Sequence, residues 1–415
     1  MSFLETLPVE LVGYIATPLE RRDVLSLRLT CRALESKIPH AQLFARKHVE
    51  LDQEALKNMV YMTSQGRVGT LLQHCTIYRL AEARDNTMTF DDERVHLLTE
   101  TRNNTPNFDE HVRLLTEAFI NLKKYSPRTR LASVSLRVFK NDNTAGPGGP
   151  PVEYIAAVAP QVFHIAIEAL RASELSVDEH LDLFGGNWRC SLPSVVFLSI
   201  NQRFASVPVF RTLKKLTLKL SSSTFRNRGS SQSVLGTLLL QGLLDMTGIM
   251  PDLEDLDIHW YNTSTGGPDV LSVNLSGQSH FSHLKTCSLR GLYVPDSNLL
   301  EFLKAVRPVE LTMTDISLAP GTWTSIFEYV TSSDSPVTYY HLDDLHESRR
   351  LVHFDVPGES KFPYLGVTMG PSTLTRQANE VKEAIQYGIT LKRPLGSGWK
   401  IHWYASKMAQ FGPLN

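Results

Sequence analysis

Leu213-Lys214-Lys215-Leu216-Thr217-Leu218 sets the reading of this chain. Its three apolar positions follow the spacing Leu-x-x-Leu-x-Leu, and the last two alternate with polar residues, as in a strand with one buried face. The spacing returns upstream at Leu72-Cys75-Ile77, Leu131-Val134-Leu136 and Val195-Leu198-Ile200. Downstream it recurs at Leu253-Leu256-Ile258 and Leu284-Cys287-Leu289, and in weaker form at Leu311-Met313 and Val337-Tyr340-Leu342. Val49-Leu51 is also strand-like. Helical periodicity lies between these strands. Asp109 precedes Val112, Leu115, Phe119 and Leu122, and residues 152–172 carry Ile155, Val162, Phe163, Ile167 and Leu170. Shorter helices are expected around Leu56 and over 235–244, 299–306 and 323–330.

The N-terminus has a different pattern. Thr6 suits an N-cap ahead of Leu7 and Pro8, and Leu7, Leu11, Ile15 and Leu19 recur every four residues along one helical face. Pro18 stops that helix, because Thr17 before it is pushed out of the helical region. Asp23 favours a second helix start, with Val24, Leu27 and Leu29 as its apolar stripe. Cys31, Leu34 and Ile38 form a third stripe, closed by Pro39. Three short helices in about 35 residues bury too little to be robust alone.

The series Leu7-Pro8, Glu10-Leu11, Ile15, Leu19, Asp23-Val24, Leu27, Thr30-Cys31-Arg32 and Leu34 resembles an F-box, the module that docks a substrate receptor onto a Skp-family linker protein of cullin-RING ubiquitin ligases. The resemblance implies that these thirteen positions form the linker-binding site, with Leu7, Pro8 and Ile15 at the contact. The segment from Leu43 to Ile77 is diffusely similar to the region that follows the F-box in many fungal F-box proteins. Alternating helices and strands with a recurring leucine spacing resemble a leucine-rich-repeat array. The expected fold is therefore α/β: an N-terminal three-helix F-box over residues 1–45, an irregular leucine-rich-repeat-like solenoid over 46–370 that binds a target, and a C-terminal capping segment over 371–415. The units lie about 18 to 64 residues apart, against 20–29 for a regular repeat, and the usual asparagine or cysteine after the strand is mostly missing. An ordinary α/β domain with a mostly parallel sheet is the alternative architecture. In the last segment, Leu374, Ala378, Val381 and Ile385 predict an amphipathic helix stopped by Gly388, and Trp399, Ile401 and Trp403 predict a final strand.

Composition narrows the function. Hydrophobic residues make up 42% and charged residues 20%, with a net charge of −1, so nothing biases the chain toward nucleic acid or an anionic membrane. Neither a secretory signal nor a stretch of membrane-spanning length is seen. Cys31, Cys75, Cys190 and Cys287 are scattered without a Cys-x-x-Cys pair, which fits reduced thiols in the cytosol or nucleus. Breaker-rich or serine-rich loops are expected over 141–151, 221–233 and 262–269.

Enzyme signatures are missing. The Gly146–Pro151 run lacks the Gly-Lys-Ser/Thr ending of a phosphate loop, and its prolines remove the amides that would hold phosphate. His280 with His283, and His341, His346 and His353 near Asp343, Asp344 and Glu347, lack a fixed ligand spacing, so surface histidines are the simpler reading and a metal enzyme the remote one. No catalytic residue, metal or cofactor is expected. The outward strand residues Ser133, Ser135, Ser199, Glu310 and Thr312, with Lys215, Thr217, Asp255, Asp257, Thr286 and Ser288 as the target-binding candidates, form a face of mixed charge suited to a protein or peptide. Together with the F-box resemblance, this implies a non-catalytic substrate-recognition subunit of a Skp–cullin–F-box type ligase. A protein-binding scaffold without ligase activity is the alternative.

Overall fold

The computed structural model describes residues 6–16, 19, 21–37, 44–65, 71–81, 107–126, 129–140, 152–186, 190–193, 196, 208–221, 240, 243–244, 248–261, 284–318, 320–348, 350–361 and 368–389. Ten strands form one path in chain order: β1 (Arg46–Glu50), β2 (His74–Ala81), β3 (Arg130–Lys140), β4 (Ser176–Leu183), β6 (Lys215–Ser221), β7 (Asp255–Tyr261), β8 (Thr286–Arg290), β10 (Glu310–Thr314), β12 (Tyr339–Asp343) and β15 (Thr373–Gln377). The short β5 (Leu192–Pro193) pairs beside β6 and completes an eleven-stranded sheet. Every pairing in it is parallel except the last, where β15 runs antiparallel to β12. A second sheet joins β9 (Tyr293–Val294), β11 (Ser317–Leu318), β13 (His346–Glu347), β14 (Arg350–Phe354) and β16 (Tyr387–Ile389).

The Leu-x-x-Leu-x-Leu residues become two apolar rows inside the first sheet. Leu216, Leu256, Cys287, Leu311 and Tyr340 are cross-strand neighbours, as are Leu218, Ile258, Leu289, Met313 and Leu342, and all ten are buried. Full burial of one such leucine contributes about 1.5–3 kcal/mol. Helices supply the opposing layer. In α4 (Gln53–Ser64), Asp52 caps the N-terminus by accepting the Glu54 and Ala55 amides at 2.8 and 3.0 Å. In α5 (Phe108–Tyr125), acids open the first turn and lysines close the last, matching the helix dipole, while Leu115, Phe119 and Leu122 point into the core. α6 (Val152–Ser173) packs on α5, β2 and β3, and is buried over most of its circumference beyond Ala157. α7 (Asp296–Val306) and α8 (Thr324–Thr331) pack together further along.

This architecture corrects the expected one. An N-terminal three-helix F-box followed by a leucine-rich-repeat solenoid is not what the structure shows; the chain is a mixed α/β protein with one large, mostly parallel sheet and eight helices among the described residues. A solenoid stacks near-identical units, whereas the described elements between strands include both a 22-residue helix and a three-residue 3₁₀ turn at Pro208–Phe210.

Local expectations fare unevenly. The helices expected around Leu56 and over 109–122, 152–172, 299–306 and 323–330 are present. The helix through Leu374, Ala378, Val381 and Ile385 is not: Leu374 lies in β15, and Ala378–Lys382 is a 3₁₀ turn entered with Ala378 at φ 53. Pairing with the open edge of β12 overrides the helical period, and the β-branched Thr373 and Thr375 suit a strand. β4 has no counterpart in the sequence reading. The expected strand at Val195-Leu198-Ile200 with Ser199, the final strand at Trp399-Ile401-Trp403, His280, His283 and most of the helix over 235–244 lie outside the described residues, as do the loops except for Ser221.

Candidate functional site

Two surfaces stand out, one on the N-terminal helices and one on strands in the middle of the chain. The N-terminal residues form three helices, α1 (Val9–Ala16), α2 (Arg21–Thr30) and α3 (Arg32–Lys37). α1 begins after Pro8, whose carbonyl accepts the Val12 amide at 3.1 Å, so the cap falls there and not at Thr6. The Cys31 sulfur accepts the Leu34 amide at the start of α3, and the Lys37 ammonium donates to the Leu7 carbonyl at 2.9 Å, tying the third helix back to the first.

Only Val12, Ala16, Val24 and Leu34 are buried in this cluster, with Leu7, Leu19, Leu27, Cys31 and Phe44 packed around them. The expected stripe is therefore split. Val12 and Ala16 face inward, while Leu11 (48% exposed), Tyr14 (77%) and Ile15 (41%) face outward at helical spacing. Leu25 and Leu29 repeat this on α2, with Leu29 at 86%. Of the other predicted linker contacts, Pro8, Glu10, Asp23, Thr30 and Arg32 are exposed. Val24 and Leu34 instead hold the helices to one another.

The second surface is the polar face of the large sheet. Register turns the predicted target-binding residues into rows. Lys215, Asp255 and Thr286 are cross-strand neighbours, preceded by His180 and followed by Glu310. Thr217, Asp257 and Ser288 form the next row, between Asp182 and Thr312. All six predicted residues thus share one patch on β6, β7 and β8. Histidines tie neighbouring strands through hydroxyls: His74 to Ser133 at 2.8 Å, His180 to Thr217 at 3.0 Å and His341 to Thr375 at 2.8 Å. Burial holds His180 below its usual range despite the nearby Asp182 carboxylate.

A third row was not singled out from the sequence: Lys219, His259 and Arg290, then Thr314 and Asp343. It lies nearest the C-terminal ends of the strands. Burial lowers the Lys219 ammonium, with Arg137 adding to the effect. Burial, then Lys219 and Arg290, push His259 down to about 3, so its imidazole is neutral at ordinary pH. Arg137 reaches Asp182 at 2.5 Å, and the Gly185 amide donates to the other oxygen of that carboxylate at 2.6 Å. A Cβ at Gly185 would collide with Thr217 and with Asp182, so glycine lets the chain turn closely enough for this bond.

Charges at the N-terminal ends of the same strands are matched: Arg130 with Asp178 at 2.9 Å, and Lys214 and Lys285 with Glu254 at 3.1 and 2.6 Å. The histidines considered for a metal do not meet. His341 is on the polar face, His346 lies beside Asp315 at 3.7 Å, and His353 bonds the Gly370 carbonyl at 2.9 Å. Among the described residues no group of three or more His, Cys, Asp or Glu is placed to hold a metal, and no helix is long and apolar enough to cross a membrane. Cys75, Cys190 and Cys287 are buried free thiols whose desolvation raises them, Cys75 and Cys287 to about 12, so they stay protonated and unreactive. No protein-family model matches the chain, and no curated protein matches it.

Proposed function

We propose that the chain is a non-catalytic adaptor: its N-terminal helices dock onto a Skp-family linker protein, and the polar sheet face receives a target for ubiquitylation by the assembled ligase. The observation that carries this reading is the exposure of Leu11, Tyr14 and Ile15 on α1, and of Leu25 and Leu29 on α2, over a core of four residues. Apolar anchors at helical spacing on a cluster too small to be robust are what helix-in-groove docking uses. They fall in the segment whose sequence resembles an F-box. The adaptor's contribution is proximity, raising the effective concentration of target at a separate conjugating enzyme. Work in the cytosol or nucleus agrees with its reduced thiols. The second reading, a linker-bound scaffold with no turnover of its ligand, shares both surfaces.

The test is co-purification of the full chain with a Skp-family linker protein beside a Leu11→Asp/Ile15→Asp variant. A stable parent complex, lost in a variant with unchanged melting, supports docking through α1. No binding by the parent chain sinks the reading.

A further inference from the structure

We propose that the cleft between the starts of β10 and β12 and the end of β15 binds the charged end of a lysine or arginine side chain of the polypeptide that this sheet face receives. The inference deepens the target-binding half of the proposed function and rests on it.

The cleft encloses about 480 Å³ and is lined by Glu310, Thr338, Tyr339, Gln377 and Ala378. Strand register builds it. Glu310 opens β10, Tyr339 opens β12 and Gln377 closes β15, and Tyr339 is the cross-strand neighbour of both others. These three continue the row of Lys215, Asp255 and Thr286, so the cleft extends the patch of predicted target-binding residues. Past Gln377 the chain turns away through Ala378, at φ 53, into the 3₁₀ turn. The Ala378 amide donates to the Thr338 carbonyl at 3.0 Å, which fixes that wall.

The chemistry of the lining selects a cation. Glu310 brings an exposed carboxylate, Tyr339 a half-buried ring, and Gln377 an exposed amide whose oxygen accepts. Among the described residues, no hydrogen bond or ion pair engages the Glu310 or Gln377 side chain. Basic residues that flank the cleft along the chain are held elsewhere. Arg307 donates to the Asp334 carbonyl at 3.2 Å, and Arg376 to the Glu383 carbonyl at 2.7 Å. Lys382 donates to the Ser332 and Ser335 carbonyls at 2.8 and 2.9 Å. Lys285, just before Thr286 on the neighbouring strand, bonds Glu254 at 2.6 Å.

An incoming ammonium or guanidinium over the Tyr339 ring would gain cation–π attraction while its N–H groups donate to the Glu310 carboxylate and the Gln377 oxygen. An anion would meet the Glu310 charge. An apolar side chain would cover the carboxylate and the amide without offering them a partner.

Saturation-transfer NMR of the full chain with the acetyl amides of arginine, lysine and norleucine tests this. Glu310→Gln removes the charge at an exposed position, and Glu301→Gln makes the same change on the exposed side of α7. Tyr339→Leu, which removes the ring, serves if Glu310→Gln does not fold. The expected result is saturable binding of the arginine or lysine amide but not the norleucine amide, weakened about fivefold or more by Glu310→Gln and unchanged by Glu301→Gln. Saturation by one cationic amide alone assigns the side chain. Equal binding of the norleucine amide, no saturation by either cation, or equal weakening in the two charge variants overturns the site. Linker co-purification does not involve this cleft, so a failed titration leaves the docking result standing. Saturable binding by a chain that fails to co-purify keeps the cation site and sinks the linker reading alone.

Discussion

The N-terminal helices and the sheet handle apolar side chains in opposite ways. In α1–α3 the cluster buries Val12, Ala16, Val24 and Leu34, while Leu11, Tyr14, Ile15 and Leu29 stay in contact with solvent. In the sheet nearly every apolar strand residue is covered, and the face left open is polar. The chain therefore carries two kinds of exposed surface. Apolar side chains stay exposed over a core of four residues, and hydrogen-bonding and charged groups are displayed over the large sheet core. Stability should reside almost wholly in the second region.

The strongest way to break this contrast is inside the sheet. Leu256→Ala should lower stability by about 2–5 kcal/mol, read as a fall in the melting or denaturation midpoint, because its neighbours Leu216 and Cys287 cannot close the cavity. A negligible shift would mean the sheet core does not carry the fold.

Leu34→Ala probes the other side. It should strip hydrogen-exchange protection from the α1–α3 amides and leave the main melting transition in place, since the cluster opens locally before the sheet does. A shift of the main transition as large as that of Leu256→Ala would join the two regions into one cooperative unit.

Acid titration comes next. His259 is held at about 3 in the folded chain against about 6.5 when unfolded, so the unfolded state binds the extra proton in between. Its share of stability is intact above about pH 6.5 and drains as pH falls toward about 3. His259→Gln should flatten the pH dependence of the midpoint over that window, and an unchanged slope would contradict the burial assigned to this ring.

The smallest expected effect on stability is at Ile15. Ile15→Asp should move the midpoint by no more than about 0.5 kcal/mol, as an exposed substitution does. A larger loss would show that Ile15 belongs to the core and not to a docking face.

How much of this was legible in the sequence varied by element. β6, β7 and β8 were read correctly because Leu-x-x-Leu-x-Leu leaves a strand with one apolar face. β4 escaped because its register slips against β3 between Leu131 and Ser133, and the extra residue places exposed Glu179 within the alternation. The split of the α1 stripe was also invisible: periodicity alone cannot say whether Leu11 or Val12 faces inward when both lie on an apolar arc. The candidate rows were half legible. Alternation placed Lys215, Thr217, Asp255, Asp257, Thr286 and Ser288 outward, but only pairing showed that they form one patch. Lys219, His259 and Arg290 fell at strand ends, where no spacing marked them.

Sequence by itself determined the one-faced alternation of β6, β7 and β8, the helices around Leu56 and over 109–122, 152–172, 299–306 and 323–330, and that the first forty residues differ in kind from the rest. These follow from local period and from turn and cap chemistry, which act over a few residues. Tertiary structure alone decided that the strands lie in chain order in a mostly parallel sheet, that β15 reverses against β12, and that Lys219, His259 and Arg290, spread over 71 positions, meet in one row. Each of those depends on pairing between distant segments, whose energies come from burial and register and leave no mark in the local pattern.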